Sequence, residues 1–562
     1  MRILIIILSI ISLQVNATIK YVAATGGDNG NDGSSGSPWA TLAYAVTAVS
    51  SGDTIYMQAG THTINTKVTL PIGISLTGAG ETSVITSTSI TAEWAEIISL
   101  ESATISNGNQ SISYLKFDGN NLTAAQALDI QKRHNVKIHH CTFVDFHYVA
   151  ILWLGDGGFV GGDPYDKAYP PANYVTGSEF YDNTVTNCSL YTSFGYGALW
   201  IGGHDGMLLY NNSIIQNQRA NGSNGYCIKV YGGWMKGWKV YNNTLLTVGN
   251  EWLFAIEGFF FMGVEIYNNT ITGAIDINFV WRGDNNEYDY GAWIHDNILG
   301  PASTGSTEYA GVILEFKVED CIIERNFIRN NGVGIHHTMR YPYPWVYREK
   351  IRYNIFYNSG AGSYHSCVRF GETSYDFDID NLEIYNNVFH TESSGGQYFG
   401  LHIRGFDTAT NVKIRNNVFM NFSYYWFDSN RGDYFDYLYI ENNILYNNAS
   451  SNNLTLGGTP SHYTNNNNTV VNPKFTDAAG GDFTLQSDSP AIDAGLNVGL
   501  TTDYLGYTVP YNSTPDIGAY EYGSSAPEDP GEPGEPDPPS ASGGFVKSGN
   551  KFVKYGNKFI KF

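Results

Sequence analysis

The sequence predicts an all-β chain wound as a single-stranded, right-handed parallel β-helix of about 12 coils, with an N-terminal capping helix and an asparagine ladder. Three observations lead there. A short phrase recurs: an alternating apolar run, a polar residue followed by Asn, then a second alternating run, as in LLYNNSII, KVYNNTLL, EIYNNTIT, IIERNFIR and YIENNILY. Its second polar position is Asn183, Asn212, Asn243, Asn269, Asn297, Asn326, Asn354, Asn387, Asn417 and Asn443, with Cys141 in that place one coil earlier, at steps of 26 to 42 residues. Each repeat carries a third alternating run ahead of the phrase, such as YCIKVYG, AIDINFV and GLHIRGF.

Alternation on both sides of the polar pair means a strand on each side, and the pair itself is a tight bend where Asn accepts unusual dihedrals. Three strands per turn of roughly thirty residues is the signature of a parallel β-helix. Coils stacked at ~4.8 Å place the Asn residues above one another, where their amides can form a ladder. A propeller repeats too, but its blades run to ~40–45 residues of antiparallel strands.

Composition narrows the partners. Charged residues are only 15% of the 562, while Gly numbers 62 and Tyr 41, so uncharged amide, hydroxyl and aromatic groups build most of the polar surface. The formal net charge of −22 disfavours nucleic acid. Residues 1–17 hold Arg2, an apolar run from Ile3 and a small-residue exit at Ala17, the pattern of a secretory signal peptide. That run is too short to span a bilayer, and the expectation is a secreted or cell-surface protein without a membrane span. Five cysteines (Cys141, Cys188, Cys227, Cys321, Cys367) lack paired spacing and read as small core fillers, with one bridge possible. TLAYAVTAV, from Thr41 to Val49, is an amphipathic helix able to cover the open first coil.

The segment from Tyr21 to Ile64, YVAATGGDNGNDGSSGSPWATLAYAVTAVSSGDTIYMQAGTHTI, resembles the entry region of secreted right-handed β-helix proteins of the pectate-lyase-like superfamily. It is most similar to the groups related to family-nine polysaccharide lyases. NPKF at 472–475, LQSDSPAIDAG at 485–495 and DIGAYEY at 516–522 resemble the closing segment of such proteins. Relatives carry an Arg between a DxxG element and DIGAYEY; here Asp503–Gly506 is followed by Tyr507, Thr508 and Val509. The resemblance spans about residues 20–522 and implies the fold; lyases, hydrolases, epimerases, adhesins and phage tail spikes share this scaffold, so it selects no activity. The helix domain is accordingly placed at 18–525, with its N-cap at about 18–64 and closing segment at about 470–525.

In such a helix the strand before the Asn turn forms the floor of a substrate groove. Its outward residues read as Lys229, Glu257, Asp276, Glu315, His336, Arg369, His402 and Asp428, with Tyr231, Lys317 and Arg404 two residues further along. Stacked carboxylates repel unless a cation or proton lies between them, so Glu257, Asp276 and Glu315 are the candidate calcium ligands. A cation beside basic groups suits β-elimination on a uronic-acid polymer, with His336 as base, Arg369 as neutraliser and Lys229 as a second candidate base. The same three carboxylates offer hydrolysis as an alternative, and a noncatalytic adhesive surface is a third. Tyr231, Lys317, His402, Arg404, Tyr288, Tyr343 and Trp345 are the expected substrate contacts, since aromatics with polar tips stack on sugar faces. Asp156, Asp163 and Asp166 match no calcium-loop spacing.

The Pro-rich acidic stretch 526–544 reads as an extended linker, and 545–562, with FVKSGNK, FVKYGNK and FIKF, as a small three-stranded meander. This tail could attach the chain to a surface or assembly. The expected partner is therefore an acidic polysaccharide, and the expected state a monomer, or a trimer if the chain is tail-spike-like.

Overall fold

Asparagine at the bends decides the path of the chain. In the computed structural model, which describes residues 17–155, 173–189, 196–217, 225–231, 233–249, 254–283, 285–301, 310–338, 344–359, 366–371, 377–392, 398–448 and 454–524 with the backbone of 552–555 and 558–561, the residue before each ladder Asn is left-handed. Its φ is 57° at Asn211, 56° at Asn242, 54° at Asn268 and 54° at Asn386. Asn pays little for that conformation because its short polar side chain bonds locally. The second Asn then turns inward. Asn269 Nδ2 donates to the carbonyls of Val240 and Tyr267 (2.9 Å each) and to Asn297 Oδ1 (3.0 Å), which also accepts the Asn269 N–H (3.0 Å). The same pattern links Asn183 to Asn443 coil by coil, and one coil further to Asn468. At the other end the Cys141 N–H donates to Asn183 (2.9 Å).

Between bends the alternating runs form strands that pair in parallel with the coil before and after, giving an all-β parallel solenoid of about 11 turns. Parallel crossovers of this kind wind to the right. Inward residues fall in columns: Val240, Ile266, Ile294, Ile323, Ile351, Ile384 and Ile414 are register partners and wholly buried. Full burial of such a side chain stabilises by about 1.5–3 kcal/mol. Phe356, Phe389 and Phe419 stack at 4.7 and 4.6 Å in a second column. All five cysteines are buried and free, so the core-filler reading holds without a bridge. The entry helix is Leu42–Ala48; Thr41 caps it by accepting the Tyr44 N–H (3.2 Å), and Leu42 and Ala45 face the core.

The closing segment does not lie across the last coil; it runs back along the flank. Phe475, Phe483, Leu485, Ala491, Ile517 and Ala519 cover Phe327, Ile355, Val388, Val418 and Ile444, outward residues of the strands after the Asn bend. Asn386 donates to the carbonyls of Asp516 (3.1 Å) and Gly518 (3.2 Å), and Asn416 to that of Leu496 (2.8 Å). Its acids act as backbone clamps. Asp503 accepts the N–H groups of Leu505, Tyr507 and Glu521 (2.8–3.0 Å), and Asp516 those of Asp493 and Tyr522 (2.7 and 2.6 Å).

Burial holds the carboxyl of Asp516 up at about 6 and also raises Asp503 and Glu521, against the backbone bonds that pull the other way. A carboxyl raised on folding stabilises fully below its unfolded pKa, near 4, and that contribution is lost as pH rises through the folded value. Hydrogen exchange in 493–522, corrected for intrinsic rates, should show more protection at pH 5 than at pH 7.5, with Asp516→Asn flattening the difference; equal protection at both pH values would contradict this.

In the tail, Phe552–Tyr555 and Lys558–Lys561 pair antiparallel, as expected of the last two strands; 545–551 lie outside the described residues. No helix among the described residues is long and apolar enough to cross a membrane.

Candidate functional site

The floor strands assemble the outward column with one substitution. Register pairs Lys229 with Glu257, Glu257 with Asp276, Asp276 with Ile313, Ile313 with His336, His336 with Arg369, Arg369 with His402 and His402 with Asp428. Ile313, not Glu315, occupies the place between Asp276 and His336. Glu315 sits two residues on, on the same face, where a bulge between Ile277 and Phe279 shifts the pairing so that Phe279 meets Lys317. Alternation assigns a face with period two but not a height along the strand.

Ile313 packs with Ala274, Ala310, Val333 and Phe254, and this apolar step divides the column. On one side, Lys229 makes an ion pair with Glu257, and both are under a tenth exposed. Burial pushes the Lys229 ammonium down to about 8, while the carboxylates of Asp276 and Glu315 pull it back up. The Lys229 ammonium also lies 5.2 Å from the centre of the Phe259 ring and 5.6 Å from that of Tyr226.

On the other side the column runs through His336, Arg369 and His402 and ends at Asp428. Arg404 Nε and Nη2 both donate to Asp428 at 2.7 Å, and His402 Nε2 is 3.3 Å from the same carboxylate. Burial, then the charges of Arg369 and Arg404, push the His402 imidazole down to about 3, so it is neutral at pH 7. The Arg404 side chain is 45% exposed, whereas His336 is wholly buried.

The aromatic candidates divide as well. Trp345 lies under the Lys317 ammonium at 4.2 Å, and Tyr231 packs between Trp200 (5.9 Å) and Phe259 (5.7 Å), so these three expected contacts border the column. Tyr288 instead joins Tyr174 in a cluster with Trp234, Phe260, Met262 and Phe279, lying over Gly263, where a side chain would collide with its ring. Tyr343, Asp156, Asp163 and Asp166 lie outside the described residues.

The three carboxylates named for calcium share a cation of the chain itself, Lys229, which pairs with Glu257 and feels the charges of Asp276 and Glu315. Glu257 is held by Lys229, Glu315 is displaced from the ladder, and among the described residues no three His, Cys, Asp or Glu side chains converge as a metal site.

Sequence reasoning missed one buried pair behind the column. His337 Nε2 lies 2.8 Å from Glu349 Oε2 with both side chains wholly buried, and its ring stacks on Phe370 at 3.9 Å. The signal was present: consecutive histidines on a strand must face opposite sides.

No protein-family model matches the sequence, and no curated protein matches it. Among solved structures it is similar to the alginate lyase AlyF-OU02 in complex with G6 (12% identity over 61% of this chain and 80% of that one, TM-score 0.40). It is also similar to the tailspike of E. coli bacteriophage HK620 in complex with a pentasaccharide (12%, 74% and 74%, TM-score 0.41). A third is PfbA, a surface adhesin of Streptococcus pneumoniae (14%, 63% and 87%, TM-score 0.38).

Proposed function

We propose that the chain is a polysaccharide lyase that binds an acidic glycan along the floor strands and cleaves it by β-elimination. The observation that carries this reading is the run His336, Arg369 and His402 on consecutive coils, with Arg404 beside it, in a chain of formal net charge −22. Arg369, flanked by imidazoles on the coils before and after, is a local cationic centre on an acidic molecule and is placed to receive one anionic group of a polymer.

The chemistry follows from spacing. A uronate carboxylate is bonded directly to the carbon whose proton is removed, so neutraliser and base must stand about one ladder step apart, ~4.8 Å. Arg369, one coil from His336, receives the carboxylate, lowering the cost of the carbanion-like transition state. The His336 imidazole, wholly buried beside Arg369 in the unliganded chain and therefore required to open to the groove when substrate binds, takes the C5 proton; the C4–O bond breaks, the pair left at C5 forms the C4–C5 double bond, and the leaving oxygen takes a proton from water. Lys229 stays with Glu257 and is not the base. No metal enters these steps.

A second reading has its own observation. Glu257 and Asp276 are register partners, which sets their carboxyl groups near the ~5–5.5 Å of a retaining glycosidase, closer than the two-coil separation expected with Glu315.

The test is absorbance at about 235 nm, where the new double bond absorbs, with pectate, alginate and glycosaminoglycans, each with and without chelator. The expected result is a rise that survives chelation and falls by about 10²-fold or more in His336→Ala, the scale of acid–base catalysis. New reducing ends without absorbance would transfer the chemistry to Glu257 and Asp276. Neither signal on any of these polymers would leave binding without cleavage and overturn the lyase reading.

A further inference from the structure

A cleft of about 900 Å³ opens on the opposite side of the Asn bend from the floor strands, between the coil flank and the turn 499–507 of the closing segment. Its size is that of a small-molecule site. Trp293, Glu324, Arg325, Arg352, Tyr353 and Tyr504 are among its walls. Asp503 ties the turn that forms the outer wall through three backbone N–H groups.

The charges inside cancel. Arg325 donates to both oxygens of Asp296 (3.0 Å each) and to Glu324 Oε1 (2.6 Å), Arg352 donates to Glu324 Oε2 (2.5 Å), and Trp293 Nε1 donates to Glu324 Oε1 (3.0 Å). Two guanidiniums are matched by two carboxylates, so nothing offsets the cost of an added anion, and a uronate would face Asp296 and Glu324. What remains is a set of fixed donors and acceptors beside aromatic rings, which suits hydroxyl groups on an apolar ring face.

Two features mark the cleft as built for a ligand. Tyr353 is 3% exposed, yet its hydroxyl hydrogen-bonds to none of the described residues, and a buried hydroxyl in that state is rare in native folds. The bends are also unusual here. The first bend residue is Asn or Asp at 182, 211, 242, 268, 296, 386, 416, 442 and 467, but Arg325 (φ 51°) and Tyr353 (φ 54°) hold the left-handed position where the cleft opens. Bulky residues pay for that conformation, and such strain collects at functional sites.

We infer that this flank cleft is a second carbohydrate site, selective for a neutral sugar, in which Tyr353 donates its hydroxyl to the ligand and Arg325, Arg352 and Glu324 hydrogen-bond the sugar hydroxyls. It does not depend on the lyase reading of the floor strands.

The experiment is calorimetric titration of the mature chain with neutral hexasaccharides of glucose (α- and β-linked), xylose and mannose, and with an oligogalacturonate. At least one neutral ligand should bind, and the oligogalacturonate should not displace it. Tyr353→Phe removes one oxygen and should weaken binding at least fivefold, and Tyr507→Ala, which truncates a ring on the outer wall of the cleft, should do so by a separate contact, with thermal unfolding confirming that both variants are folded. Absence of binding by every neutral hexasaccharide, or binding that both folded variants leave unchanged, would overturn the proposal.

Discussion

Lys229→Met should lower the stability of the helix by about 3–5 kcal/mol, the scale for a buried ion pair that loses one partner. The residue is a cation within a group of carboxylates formed by Glu257, in contact with it, and Asp276 and Glu315, close enough to act on its charge. All four are less than a tenth exposed. Without the ammonium, Glu257 loses its ion-pair partner and Asp276 and Glu315 lose a cation that acts on them, whereas Glu257→Gln leaves Lys229 two carboxylates to answer. The second variant should therefore cost clearly less than the first, and Lys229→Met/Glu257→Gln should recover part of the loss. The sign with pH follows. In Lys229→Met the carboxyl groups are raised on folding, so the defect shrinks below pH 4 and grows as pH climbs through their folded values. Urea denaturation of the three variants at pH 4.5 and 7.5 checks both statements; a neutral Lys229→Met, or a larger loss in Glu257→Gln, would show that this lysine does not hold the group together.

This pair also shows where sequence reading stops. Face was legible: Lys229, Glu257, Asp276, His336, Arg369, His402 and Asp428 do share a column, because strand alternation separates inside from outside with period two. Height was not, and the bulge that puts Ile313 where Glu315 was expected leaves the apolar–polar pattern intact. Nor does alternation reveal what covers an outward residue. His336 reads as exposed and is wholly buried, while Arg404, two residues beyond the column, is the open one. The course of residues 475–519 back along the flank was not legible, because it depends on Val388, Val418 and Ile444, whose outward apolar side chains look like ordinary strand residues until something packs on them. The flank cleft had a faint signal in Arg325 and Tyr353, which break the Asn or Asp preference of the bend.

The ladder was the most legible element, and its energetics set the largest expected effect on folding. Asn326 sits mid-ladder with no exposure. Its Nδ2 donates to the carbonyls of Ile294 (2.9 Å) and Glu324 (3.0 Å) and to Asn354 Oδ1 (3.0 Å). Its Oδ1 accepts the backbone N–H and side-chain amide of Asn297 (3.1 and 3.0 Å). Asn326→Leu is close in size but satisfies none of these, stranding at least the Asn297 N–H and the Ile294 carbonyl; at about 1–3 kcal/mol for each buried orphan, the loss is about 2–6 kcal/mol. Asn326→Asp separates donor from acceptor. Its carboxylate can still accept from Asn297 but meets three oxygens where the amide donated, so its folded pKa is raised. Stability should return as pH falls below that value and be lost as pH rises through it, a recovery the Leu variant cannot show. Position matters too. Asn468 ends the ladder half-buried, donating to Ile440 and accepting from Asn443, so Asn468→Leu should cost less than half as much. Cys141 already occupies the opposite end without an amide, consistent with tolerance confined to the termini. Urea midpoints for Asn326→Leu and Asn468→Leu decide this, with Asn326→Asp followed from pH 7.5 to 4. Equal losses at the two positions would mean that the ladder Asn residues act singly, through their own bends, and not as a continuous chain of amides.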